Sequence, residues 1–133
     1  MTPEFHERIE QRRKRIALLR ELIATFRKGQ HALLVGDIKE MQLYTTQQHT
    51  LCAELLEMTR AEAGPLPALE DDEAWESWEK LGKEVQELES RARHLGRVQA
   101  ALLQKGRRAL EIYSCLLATL APTYSPPRAL AGR

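Results

Sequence analysis

The chain has 133 residues, of which 29% are charged and only 5% aromatic, and its net charge is +1. This length supports one domain, and the scarcity of aromatic residues favours an elongated helical protein over one with a thick globular core. Its apolar runs fall short of the roughly 20 residues that a membrane span needs, and the N-terminal segment lacks the apolar core of a signal peptide. A cytoplasmic protein without membrane insertion is therefore expected.

The charge is unevenly spread along the chain. Residues 1–36 carry eight basic and four acidic side chains, residues 37–90 carry four and fourteen, and residues 91–133 carry eight and one. The acidic middle either faces the basic ends, within one molecule or across a partner surface, or is simply a solvated face. Nucleic-acid binding is not expected, because the total charge is near zero and few aromatic side chains are present to stack on bases.

The first predicted element is a helix over residues 3–35. It begins with a hydroxyl cap at Thr2 and a proline at the first helical position, Pro3. Apolar residues then follow in alternating steps of three and four, as in a coiled coil. This seam consists of Phe5, Ile9, Ile16, Leu19, Ile23, Phe26 and Leu33. Arg12 and Gln30 interrupt it at the same phase.

A turn is predicted at Val35-Gly36-Asp37. Glycine takes the left-handed conformation that ends a helix, and Asp37, with Glu40 three residues later, is suited to cap the next one. The second helix, about residues 37–62, should therefore fold back along the first. Its predicted apolar stripe consists of Ile38, Met41, Tyr44, Leu51, Cys52, Leu55 and Met58.

The third predicted helix, about residues 72–121, is the longest. It follows a break at residues 64–72, where a glycine and two prolines forbid continuous helix. The sequence thus predicts an all-α fold, in which an elongated antiparallel helical hairpin and a long third helix form a coiled-coil-like three-helix bundle. This single domain covers residues 1–121, and residues 122–133 form a flexible tail.

A row beside the main seam of the third helix changes character along its length. In steps of seven, the row runs Gly82, Glu89, Gly96, Leu103, Leu110 and Leu117. An apolar face that widens in this way is a candidate for accepting another helix. Packing between the first two helices, or dimerisation to a homodimer, would explain the row equally. We call the candidate binding residues the C-terminal apolar face: Leu103, Leu110 and Leu117 from this row, together with Ile112 and Leu116.

The sequence does not show the convergent polar groups of an enzyme. Its four histidines share no metal-ligand spacing, and no nucleotide-binding or hydrolase motif occurs. Cys52 and Cys115 lie far apart without a CxxC pair, which indicates small buried hydrophobic residues rather than a redox or zinc site. Neither catalysis nor a metal or other cofactor is expected.

Four short motifs follow one another in a suggestive order. They are the turn Val35-Gly36-Asp37, the acidic pair Asp71-Asp72, the pair Ala109-Leu110 late in the third helix, and Tyr124 shortly after that helix. Together with the leucine-rich second helix, this order resembles the flagellar export chaperones of the FlgN family, over nearly the whole chain.

The resemblance implies a cytosolic chaperone of type III flagellar export that needs no nucleotide or metal. Such a protein binds terminal helices of the hook-filament junction proteins, the flagellar hook-associated proteins, and delivers them to the export gate. We expect the C-terminal apolar face to hold this client. The resemblance also implies that Tyr124 helps to dock the chaperone on the gate, although a tyrosine packed on the last helical turn is an alternative. The alternative function is a structural coiled-coil scaffold or oligomerisation module without chaperone activity.

Overall fold

The computed structural model describes residues 3–62 and 72–120, and within these ranges it contains three α-helices. They are α1 (Pro3–Val35), α2 (Ile38–Ala61) and α3 (Asp72–Leu120). The expected all-α helical bundle is confirmed. The chain divides into two compact units, residues 1–99 (unit 1) and 100–133 (unit 2), with the boundary inside α3. The break after α2 at residues 63–71 and the tail at residues 122–133 lie outside the described ranges.

The turn between α1 and α2 has the geometry that a Gly-Asp pair favours. Gly36 has a φ of +77°, in the left-handed region where a side chain would be strained. The Asp37 amide donates to the Ala32 carbonyl at 2.9 Å, and the Asp37 carboxylate accepts from the Glu40 amide at 3.1 Å. The chain therefore reverses within two residues, which makes α2 antiparallel to α1.

Contacts within unit 1 fix the direction of α3. Near the start of α1, the rings of Phe5 and Trp78 have centroids 5.9 Å apart. Near its end, Gln30 Nε2 donates to the Leu95 carbonyl at 3.4 Å. Because later residues of α1 meet later residues of α3, the two helices run parallel.

The core of unit 1 is built on the predicted seam of α1. Six of the seven seam residues are buried, and the seventh, Leu33, is half-buried. From α3, the buried apolar residues of unit 1 are Ala74, Trp78, Val85, Leu88 and Ala92. Removing these side chains from water is the main favourable contribution to folding, at roughly 25 cal/mol per Å² of apolar surface.

The apolar stripe of α2 is narrower than predicted. The buried residues of α2 are Met41, Gln48 and Leu51. Ile38, from the predicted stripe, is 71% exposed. The expectation that Cys52 and Cys115 are buried is wrong, because both are exposed. The narrow stripe of α2 has a geometric cause, because a helix that contacts its neighbour along a narrow strip buries about two residues per heptad. Cys52, one step beyond Leu51, points away from that strip.

Candidate functional site

On α3 of unit 1, both glycines of the seven-residue row lie against side chains of α1. A Cβ atom at Gly82 would lie 2.6 Å from Nη1 of Arg12, and one at Gly96 would lie 3.5 Å from Cζ of Phe26. Arg12 Cζ lies 3.2 Å from the centroid of the Trp78 ring, and Nη1 donates to the Trp78 carbonyl at 2.5 Å. The arginine that interrupts the seam of α1 is thus held by a cation–π contact and a hydrogen bond.

Electrostatics around Arg12 agree with this packing. Burial lowers the pKa of its guanidinium below the ordinary value; nearby Glu62 opposes the shift and Arg15 adds to it. An arginine nevertheless stays protonated in proteins. The charge on Arg12 is therefore available to the face of the Trp78 ring at neutral pH.

Glu89, which lies between the two glycines in the row, belongs to an ionic bridge. Arg15 contacts the carboxylate of Glu62 at 3.1 Å and that of Glu89 at 2.5 Å. The three side chains are only 17%, 19% and 28% exposed, in the order Arg15, Glu62, Glu89. The bridge ties α1 to the C-terminal end of α2 and to α3, so in unit 1 the row is occupied by intramolecular contacts.

A buried amide pair joins α2 to α3 inside unit 1. Gln48 Nε2 donates to Gln99 Oε1 at 3.0 Å, and Gln99 Nε2 donates back to Gln48 Oε1 at 2.8 Å. Gln48 Nε2 also donates to the Thr25 carbonyl at 3.3 Å. Sequence reasoning missed this pair. Its signal was a glutamine at an apolar phase of α2, seven residues after Met41 and three before Leu51.

An apolar groove of about 420 Å³ lies between α2 and α3 in unit 1, with α1 as its floor. Its apolar lining consists of Leu19, Leu22 and Phe26 from α1, Cys52 and Leu55 from α2, and Ala92 and Gly96 from α3. Although Cys52 is exposed, partial burial raises the pKa of its thiol. The sequence analysis did not predict this groove.

In unit 2, the described side chains of the C-terminal apolar face are exposed. Their exposed fractions are 43% for Leu103, 69% for Leu110, 62% for Ile112 and 56% for Leu116. Leu117 lies in α3, but its side chain is not among those described, and Tyr124 lies outside the described residues. Leu103 also borders a shallow depression, whose other lining residues are Ala100, Gln104, Arg107, Arg108 and Glu111.

This arrangement suits the binding of another polypeptide. Within residues 3–62 and 72–120, no group of three or more His, Cys, Asp or Glu side chains is placed to hold a metal ion. None of the three helices, over its described residues, is long and apolar enough to cross a membrane.

Comparisons of the chain with protein-family models, with curated proteins and with solved structures gave no match.

Proposed function

We propose that this chain is a cytosolic export chaperone of the flagellar type III machinery and not an enzyme. It binds terminal helices of hook-filament junction proteins before secretion and delivers them to the export gate. The resemblance to the FlgN family supplies this identity. The single structural observation in its support is the exposure of the C-terminal apolar face.

An exposed row of leucines suits a client segment that is disordered when alone. Burying one Leu or Ile side chain contributes roughly 1.5–3 kcal/mol, and this gain offsets the entropy lost when the client becomes ordered. Leu110 and Ile112 have the most surface to bury, since each is more than 60% exposed. Such a face would cover the apolar, aggregation-prone side of a client helix.

The test is a calorimetric titration of the protein with the C-terminal helical segment of a hook-filament junction protein. We expect saturable binding with a negative change in heat capacity, which indicates burial of apolar surface. The variant Leu103→Asp/Leu110→Asp should bind more than about 100-fold more weakly, because two buried leucines contribute roughly 3 kcal/mol or more. Its helicity should stay near the wild-type value, since both side chains are exposed.

A matched control separates the apolar contact from the added charge. Gln42→Asp/Gln47→Asp adds the same two negative charges at exposed positions of α2 in unit 1. This control should bind within a few-fold of wild type. Wild-type affinity in the Leu103→Asp/Leu110→Asp variant would rule out the face as the client site, and a collapse of its helicity would mean that the row belongs to the core.

The same exposed leucines also favour the coiled-coil scaffold as the second candidate function. A scaffold would be an obligate oligomer, because its leucines would join copies of the chain, whereas a chaperone need not be one. Sedimentation equilibrium of the purified protein distinguishes the two. A stable oligomer that does not bind the client segment would favour the scaffold.

Docking on the export gate is proposed for Tyr124 from the family resemblance alone. Tyr124→Ala should weaken binding to the gate component in a pull-down assay and leave the calorimetric affinity for the client unchanged. Unchanged gate binding would remove Tyr124 from the proposal without affecting the client site.

A further inference from the structure

The charged residues around the C-terminal apolar face are almost all basic. Between residues 100 and 120, the basic side chains are Lys105, Arg107 and Arg108, and the only acidic one is Glu111. All four are exposed. The surface around the exposed leucines therefore carries a net positive charge.

Two of the three basic residues, Arg107 and Arg108, lie at the edges of the face. Arg107 is four residues after Leu103 and three before Leu110, so its side chain is the neighbour of both leucines on one side of the helix. Arg108 is four residues before Ile112, which places it at the opposite edge. An occupant of the leucines therefore brings its own flanking residues close to a positive charge on either side.

We propose that the occupant of this face is an amphipathic protein helix whose apolar stripe is bordered by Asp and Glu side chains. This inference rests on the proposed client site and goes further by stating the chemistry of the client. Carboxylates beside the client's apolar residues would meet Arg107 and Arg108 at the rim of the complex. Charges placed at a rim govern partner choice and the rate of association more than they govern final affinity.

The residues that follow α3 do not supply this chemistry. Residues 121–133 contain two arginines and no acidic residue, so their charge has the same sign as that of the face. Residues 121–133 therefore do not provide the acidic helix that we propose for the face.

The composition of unit 2 favours a protein over an anionic lipid surface. Gln104 lines the depression beside Leu103, where its amide offers a hydrogen-bond donor and an acceptor to a polypeptide backbone. Tryptophan, which is enriched at lipid–water interfaces, occurs only at Trp75 and Trp78, both in unit 1.

The test uses the full chain and two synthetic helical peptides of about 20 residues, long enough to span residues 100–120. The peptides share one apolar stripe, which is bordered by Asp and Glu in the first and by Lys and Arg in the second. At low ionic strength the wild type should bind the acidic peptide about tenfold more tightly, since ion pairs at both edges of the face attract it and the basic peptide is repelled. The preference should shrink at high salt, because rim charges are screened.

Two charge-reversal variants locate the effect. Arg107→Glu/Arg108→Glu should reverse the preference, so that the basic peptide binds more tightly. Arg91→Glu/Arg93→Glu changes the charge by the same amount at exposed positions of α3 in unit 1 and should keep the wild-type preference.

The outcomes separate this inference from the proposed function on which it rests. Equal binding of both peptides by wild type and by Arg107→Glu/Arg108→Glu would overturn the charge inference and leave the apolar client site intact. Failure of both peptides and of the hook-filament junction segment to bind would overturn both proposals.

Two further results would replace the client by another occupant. Binding to phosphatidylserine vesicles that Leu103→Asp/Leu110→Asp abolishes, without peptide binding, would assign the face to a membrane surface. A homodimer that Arg107→Glu/Arg108→Glu dissociates, again without peptide binding, would assign the face to the acidic residues 37–90 of a second copy.

Discussion

Replacing Gln48 by leucine should destabilise the protein by about 2 kcal/mol, although leucine is similar in size. The substitution removes three hydrogen bonds, two with Gln99 and one with the Thr25 carbonyl. It leaves the amide of Gln99 buried, at 7% exposure, without its partner. An unsatisfied buried polar group costs about 1–3 kcal/mol, and the apolar surface gained from leucine offsets only part of the total. Gln99→Leu should cost about the same for the same reason.

The double variant Gln48→Leu/Gln99→Leu should be less destabilised than either single variant. With both amides absent, no buried polar group lacks a hydrogen-bond partner between α2 and α3, and two leucines fill the space near Gly29. We expect a stability within about 1 kcal/mol of wild type, which corresponds to a coupling energy of about 3 kcal/mol between the two positions.

Urea unfolding followed by far-ultraviolet circular dichroism measures the free energy of unfolding of the wild type, the two single variants and the double variant. Gln47→Leu is the matched control, because Gln47 is the exposed neighbour on the same helix and its substitution should change stability by less than about 0.5 kcal/mol. Additive effects of Gln48→Leu and Gln99→Leu would refute the reasoning, since two side chains that do not contact each other show no coupling.

Four further predictions follow from local contacts. Arg12→Ala should lower the free energy of unfolding by about 1–2 kcal/mol, because it removes the cation–π contact and a hydrogen bond. Gly82→Ala should destabilise the wild type but stabilise the Arg12→Ala variant by up to about 1 kcal/mol, since the arginine Nη1 lies 2.6 Å from the new Cβ. A change in the free energy of unfolding by urea that has the same sign in both backgrounds would contradict that contact. Gly36→Ala should cost about 1 kcal/mol at its φ of +77°, and an unchanged urea midpoint would disprove the turn geometry. In a Cys115→Ser background, the pH midpoint for alkylation of Cys52 should be higher in the folded than in the urea-unfolded protein, because burial raises the pKa of this thiol. The contribution of the protonated thiol to stability is then complete below the pKa of the unfolded state and is lost as pH rises through the pKa of the folded state. Coincident midpoints would contradict this.

The features of the fold that sequence predicts well are local ones. The end of α1 and the start of α2 depend on Gly36 and Asp37, whose hydrogen bonds reach only a few residues along the chain. The seam of α1 is likewise visible because its spacing matches the helical repeat. Such patterns identify which side of a helix is apolar, and in α1 that side is the core.

Features that depend on distant partners could not be predicted in the same way. Arg12 looks like an interruption of the seam until Trp78, 66 residues away, is known to lie under it. Gln48 and Gln99 are separated by 51 residues, and only the folded structure brings their amides together. A polar residue at an apolar phase signals a specific partner but does not identify it.

The C-terminal apolar face shows the limit of periodicity in another form. The row on α3 has one phase throughout, so spacing alone assigns the same role to Glu89 and to Leu110. The structure distinguishes them, because Glu89 is bridged to Arg15 whereas Leu110 is 69% exposed. Periodicity predicts an apolar surface but not whether it is covered.

The two parts of this row suit different kinds of occupant. In unit 1, the side chain of Arg12 lies against Gly82, where a Cβ atom would come within 2.6 Å of Nη1, so this position is already occupied by α1. From Leu103 onward the row consists of large apolar side chains, which gain free energy from any complementary apolar surface and select little among partners. Selection must then come from the flanking charges. The basic edge at Arg107 and Arg108 supplies it, so reversing those charges tests the choice of partner while leaving the apolar contact intact.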